Sequence, residues 1–213
     1  MKKTLSMVLA LVLLFALAVP AFATDGQALT QAEKEALYAK YQEMAAAANE
    51  EYGLDISVLP FHEIETFYSE EEYAQILADL CGFLLAPTVR AAGEAPTGAL
   101  RGAGTTTVPY YTTRTHGSTT VSVTIYGTFD IGGYADGTYY IRSMAFNAVA
   151  SSSSSYLYYV KNGSASVTGY ADGGRTMIVT QNFDIYTNSS LTASTSVNAY
   201  FYFNQNTGFV SAQ

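Results

Sequence analysis

The sequence predicts a segregated α+β chain, an N-terminal helical hairpin followed by an antiparallel all-β sandwich of about 7–8 strands, on three observations. Apolar positions recur at three- and four-residue steps before residue 86 and at two-residue steps after residue 105. Charge divides at the same place: residues 24–104 carry fourteen acidic and four basic side chains, whereas residues 105–213 carry four of each. Clusters of Gly, Asn, Asp and Ser punctuate the second half where strands must reverse. The expected organisation is residues 1–23 as a signal peptide, 24–86 as an acidic helical segment, 87–105 as a flexible linker and 106–213 as a tyrosine-rich β-sandwich domain.

The first segment carries an export signal. Lys2 and Lys3 precede an uncharged run from Leu5 to Val19, which is shorter than the roughly 20 apolar residues a bilayer span requires. Pro20 and the small residues of Ala21-Phe22-Ala23 then fit a signal peptidase, so cleavage is expected after Ala23 and the mature chain begins at Thr24. The two-lysine start is of the bacterial kind. With no Cys after the cleavage point and no hydrophobic tail, the mature chain is expected to be secreted without a membrane anchor. The single cysteine, Cys81, allows no intramolecular disulfide, so stability must come from burial.

The acidic segment reads as two helices. Thr30 with Glu33, and Ser69 with Glu72, each form a capping-box pattern. The stripe Ala32, Ala36, Leu37, Tyr41, Met44, Ala45, Ala48 and Tyr52 defines the first helix, ending at Gly53. Tyr73, Ile76, Leu77, Leu80, Cys81 and Leu84 define the second, stopped by Pro87. Leu54 to Glu65, with Pro60, reads as an extended connector. Residues 86–107 are rich in Ala, Gly, Pro and Thr with no hydrophobic period, the composition of a tether that buries too little to order. Arg90 and Arg101 lie within it as protease targets.

Strands are expected at about 106–115, 119–130, 138–150, 156–161, 164–170, 175–186, 190–203 and 208–212, from alternation such as Val121, Val123 and Ile125 against Ser122 and Thr124. Asn162-Gly163 between two such runs predicts a hairpin turn. The pentapeptide Gly-Tyr-Ala-Asp-Gly occurs at 133–137 and again at 169–173. It makes Tyr134, Asp136, Tyr170 and Asp172 the candidate ligand-binding residues, in loops suited to a sugar or a cation; turn chemistry alone also explains an Asp-Gly pair.

Catalytic residues are not identified. The β half has one His (His116), no Cys and no Glu, and it lacks the Gly-x-Ser-x-Gly elbow. A hydrolase would have to pair carboxylates among Asp130, Asp136, Asp172 and Asp184. His62 and His116 are too far apart in sequence for a zinc motif, so no metal or other cofactor is expected. The net charge of −8 without a basic stripe argues against nucleic acid. Thirteen of the 18 Tyr follow residue 105, set among Ser, Thr, Gly and Asn. That mixture offers flat rings and adaptable hydrogen bonds, as extracellular recognition surfaces do. The expected function is therefore binding of a cell-surface glycan or protein, with self-association along a strand edge as a further partner mode. An antimicrobial or pore-forming effector released from an acidic helical pro-segment is the alternative, and a hydrolase the third reading.

Overall fold

The computed structural model describes residues 29–90, 102–154, 157–187 and 190–212. The expected signal peptide and residues 91–101 of the expected linker lie outside the described residues. The described residues are α+β: two helices with one short strand between them, then eight further strands, the nine forming two antiparallel sheets. It divides into two compact units. The described parts of Met1–Ala86 with Tyr186–Ala193 make the first, and those of Pro87–Ile185 with Ser194–Gln213 the second.

The first unit is a helical hairpin with a short strand. Helix α1 (Gln31–Tyr52) starts at Thr30 and α2 (Glu70–Leu85) at Ser69, and both capping boxes are complete. Gly53 ends α1 in the left-handed conformation at φ +64°, its N–H donating to Asn49 O. Leu37, Tyr41, Met44, Ala45 and Ala48 of α1 are buried, as are Tyr73, Leu77, Leu80 and Cys81 of α2. Phe83 joins them from outside the expected stripe, whereas Ala32 and Ala36 are exposed. The connector holds a short strand and a 3-10 turn at Phe61–Glu63. Strand β1 (Ile56–Val58) is fixed on α1 by Asn49, whose amide both donates to Ile56 O (2.7 Å) and accepts from Ile56 N–H (2.8 Å). β1 pairs antiparallel with Leu191–Ala193, so a piece of chain from the β half completes this unit. The Thr187 hydroxyl accepts from Leu191 N–H at 3.2 Å.

The second unit is a two-sheet sandwich. One sheet has the order β2 (Thr88–Arg90), β3 (Gly104–His116), β4 (Thr119–Gly133), β5 (Tyr139–Ser152). The other runs β9 (Phe209–Ala212), β8 (Leu191–Asn204), β7 (Thr176–Thr187), β6 (Leu157–Ala171), with the start of β8 and the end of β7 belonging to the first unit. Val121, Val123, Ile125, Phe129 and Ile131 of β4 are buried with Val179, Phe183 and Ile185 of β7 and Phe201 of β8, and the Phe129 and Phe201 rings meet at 5.6 Å. Gly127 is required in this layer: a Cβ there would lie 2.6 Å from the Phe129 ring and 3.1 Å from that of Phe201.

Two sequence expectations are corrected. Thr88–Arg90, read as linker, is a strand paired with Thr112–Arg114, and Arg90 donates to Ala212 O at 3.0 Å while lying over the Tyr110 ring. Asn162-Gly163 does not turn the chain: β6 runs unbroken from Leu157 to Ala171, with Gly163 at φ +73° inside it. Such a glycine marks a bulge. The buried Gln181 amide on β7 secures it by donating to the carbonyls of Asn162 (3.4 Å) and Gly163 (3.3 Å).

Candidate functional site

The two Gly-Tyr-Ala-Asp-Gly copies occupy two different hairpin turns. In the turn joining β4 to β5, Tyr134 N–H donates to Thr138 O (2.8 Å) and Gly137 N–H to Tyr134 O (3.1 Å). Gly137 adopts φ +86°, a conformation that favours glycine. Asp136 Oδ1 accepts from both the Thr138 hydroxyl (2.7 Å) and its N–H (2.9 Å), and these bonds hold its carboxyl below the usual carboxylate range. In the turn joining β6 to β7, Asp172 and Gly173 lie at φ +52° and +67°. Asp172 Oδ2 accepts from the Thr176 hydroxyl at 2.9 Å. Each aspartate thus stabilises its own turn, which gives the turn chemistry of the repeat a clear structural basis.

The sandwich brings both turns to one end. Tyr139, just after the first turn, donates its N–H to Gln205 O at 2.7 Å; Arg175, just after the second, accepts from Phe203 N–H at 2.9 Å. Gln205 and Phe203 are two residues apart, so both turns flank the β8–β9 turn. That third turn is closed by Gly208 N–H to Asn204 O (2.8 Å) and by the Asn204 side chain accepting from Asn206 N–H (3.0 Å). The sequence repeat identified two of the three turns, and the third became visible only through these backbone bonds.

Aromatic rings cover this end. Tyr134 and Tyr170 are each 59% exposed, the most exposed of the described tyrosines. Tyr134 lies against Tyr140, with centroids 4.5 Å apart and planes at 36°. Tyr140 in turn rests directly on Gly132, where a Cβ would come within 2.6 Å of its ring. Tyr139 packs similarly against Gly208, at 3.1 Å from the position of a Cβ. Tyr139 and Tyr140 were not singled out by sequence; the signal was the Gly132-Gly133 pair directly opposite them on β4.

The remaining chemistry-bearing residues do not join this site. Asp130 points outward on one sheet, 3.7 Å from Arg142. Asp184 points outward on the other and accepts from Asn162 (3.2 Å) and Ser194 (3.1 Å). Outer faces of a sandwich look in opposite directions, so these two carboxylates do not flank a common bond. His116 is exposed at the end of β3, and His62 lies 3.7 Å from Glu63 on the first unit. Among the described residues no group of three His, Cys, Asp or Glu is placed to hold a metal, and no helix is long and apolar enough to cross a membrane. A cavity of about 260 Å³ in the first unit is lined by Leu29, Ala32, Ala36 and Leu37 with Glu33, Lys40 and Glu70; Glu33 is committed to the Thr30 cap.

Compared with protein-family models, with curated proteins and with solved structures, the chain finds no match in any of the three.

Proposed function

We propose that the protein is a secreted extracellular binding protein whose sandwich recognises a cell-surface ligand through the tyrosine-bearing turns at one end. The observation that carries this reading is that Tyr134 and Tyr170, both widely exposed, belong to the two Gly-Tyr-Ala-Asp-Gly segments whose following residues bond to either side of the β8–β9 turn. A ring that is more than half exposed, as both are, and backed by a second ring, as Tyr134 is by Tyr140, loses little entropy on docking a ligand. A glycan fits best. Sugars stack their apolar faces on phenol rings, and their hydroxyls match the carboxylate and amide acceptors of Asp136, Asp172 and Asn206 nearby. Secretion rests on the N-terminal run with its Ala21-Phe22-Ala23 end.

The test is binding of the mature chain, from Thr24, to a glycan array and to insoluble neutral polysaccharides. Tyr134→Ala and Tyr170→Ala are each expected to weaken binding by about tenfold, in the range of an anchoring aromatic. Folding is checked by circular dichroism. Unaltered binding by the double variant would remove this end of the sandwich from the reading, and retention only by a protein fraction of the cell surface would replace glycan with protein.

A further inference from the structure

We propose that the site at the first turn continues onto the outer face of the sheet of β2, β3, β4 and β5, where a tyrosine-bearing platform along β4 takes an extended, neutral β-1,4-linked polysaccharide chain. The inference rests on the glycan reading of the turns and gives that ligand a path and a length.

Alternation along β4 defines the face. Ile125, Phe129 and Ile131 are buried in the core, so Thr124, Tyr126, Thr128, Asp130 and Gly132 point the other way. The Tyr140 ring lies where a Cβ of Gly132 would stand, which puts that ring on the outer face, and Tyr134 lies against it at 4.5 Å. The Tyr134 and Tyr140 rings of the first turn therefore also begin the sheet surface. Further along the same face, Tyr126 is opposite Pro109 on β3, and Tyr111, two residues beyond Pro109, is opposite Thr124. Tyr111 and Tyr126 are thus diagonal neighbours, a spacing within reach of aromatic side chains. Tyr111 is 38% exposed, and Thr105, Thr107, Ser122 and Ser143 on this face are exposed as well, so the surface is open to solvent.

The chemistry of the face specifies the occupant. Gly132, beneath Tyr140, and Thr124, opposite Tyr111, are eight residues apart on β4, about 27 Å at 3.4 Å per residue, which is several sugar rings long. A β-1,4-linked chain runs straight over such a distance; its C–H faces stack on phenol rings while its hydroxyls project at the edges. Between the two tyrosine pairs lie Asp130 and Arg142, 3.7 Å apart and 34% and 54% exposed, an acceptor and a donor for those hydroxyls. Their charges offset each other at the centre of the platform, which favours a neutral chain over a polyanion. The Thr107 and Thr128 hydroxyls, 3.0 Å from each other, add acceptor positions. Lys161, 3.0 Å from Asn147 Oδ1 in the row of Tyr126, is a further donor.

The experiment is calorimetric titration of the mature chain, from Thr24, with β-1,4-linked oligomers of glucose and of N-acetylglucosamine, from dimer to hexamer. In one of the two series affinity is expected to rise about tenfold or more from dimer to hexamer, because each further ring docks intramolecularly. Tyr111→Thr and Tyr126→Thr, which keep strand propensity, are each expected to weaken hexamer binding about fivefold and to leave dimer binding unchanged. Tyr134→Ala is expected to weaken both, and Tyr200→Thr, on β8 of the other sheet, neither. Circular dichroism checks that each variant folds. Affinity independent of length overturns the platform, as does hexamer binding untouched by the Tyr111→Thr/Tyr126→Thr double variant or weaker than that of a polygalacturonate fragment; a loss with Tyr134→Ala in those cases keeps the turns as the site. No binding in either series overturns the platform too, and the glycan array then decides separately whether the turns take a sugar.

Discussion

Tyr41 and Tyr73 stack face to face between the two helices, with ring centroids 3.6 Å apart and planes within 6° of parallel. Their hydroxyls have opposite circumstances. That of Tyr41 donates to Tyr68 O and accepts from Tyr68 N–H at 2.7 Å, whereas that of Tyr73 is buried without a hydrogen-bond partner among the described residues. A buried polar group left unpaired costs the desolvation it never recovers. Tyr73→Phe is therefore expected to stabilise the protein by about 1 kcal/mol, and Tyr41→Phe, which strands both Tyr68 backbone groups, to destabilise it by about 2 kcal/mol. Thermal unfolding of the two variants checks the pair: a Tyr73→Phe melting temperature at or below that of the wild type would show that the hydroxyl has a partner after all.

Burial makes the same residues sensitive to alkali. It pushes the Cys81 thiol up to about 11 and the Tyr41 phenol up to about 12, and it raises Tyr73 further in the same direction. In the second unit Tyr159, packed on Phe183 at 5.4 Å, is likewise raised to about 12. Each group keeps its proton longer when folded than when unfolded, so its contribution is complete below the unfolded value and is lost as pH rises through the folded one. Stability is expected to be level up to about pH 8.5, to decline first as the unfolded thiol ionises, and to fall more steeply above about pH 10 as the phenols do. Urea midpoints measured between these values test the sign; a midpoint that stays constant to pH 11 would refute it. Tyr159→Phe is expected to flatten the fall for the sandwich.

What the sequence reveals and what it conceals follow from the range of the forces concerned. The caps at Thr30, Ser69 and Gly53 are local, and each is formed as its residues imply. Alternation in β4 and β8 reports which side chains enter the core, because a one-residue slip would expose the whole set. Asn162-Gly163 is ambiguous for the opposite reason. A turn and a bulge both exploit a glycine at positive φ, and the choice is made by Gln181, nineteen and eighteen residues further along the chain. β1 and β2 are invisible because three residues carry no period; their partners are Leu191–Ala193 and Thr112–Arg114. At the candidate site the repeat announces two turns, but only the bonds from Tyr139 to Gln205 and from Phe203 to Arg175 place them side by side.

The same long-range pairing bears on whether the helical segment is removable. Thr88–Arg90, which precede residues 91–101, supply a strand to the second unit, and Leu191–Ala193, which follow them, supply β1's partner to the first. Each unit is therefore assembled from chain on both sides of the linker. Arg90 is further held by Ala212 and Tyr110. A protease recognition site inserted between residues 94 and 99 and then cut is expected to leave two fragments that co-elute under native conditions and separate in denaturant. Loss of the Leu191 and Ala193 side chains from the first unit would expose surface worth about 2 kcal/mol for the leucine alone, which opposes spontaneous release. Fragments that separate at once in native buffer would show that the pairing is too weak to retain the helices, and would favour an effector freed from a pro-segment. Co-elution instead would show that cutting the linker does not by itself release the helical segment.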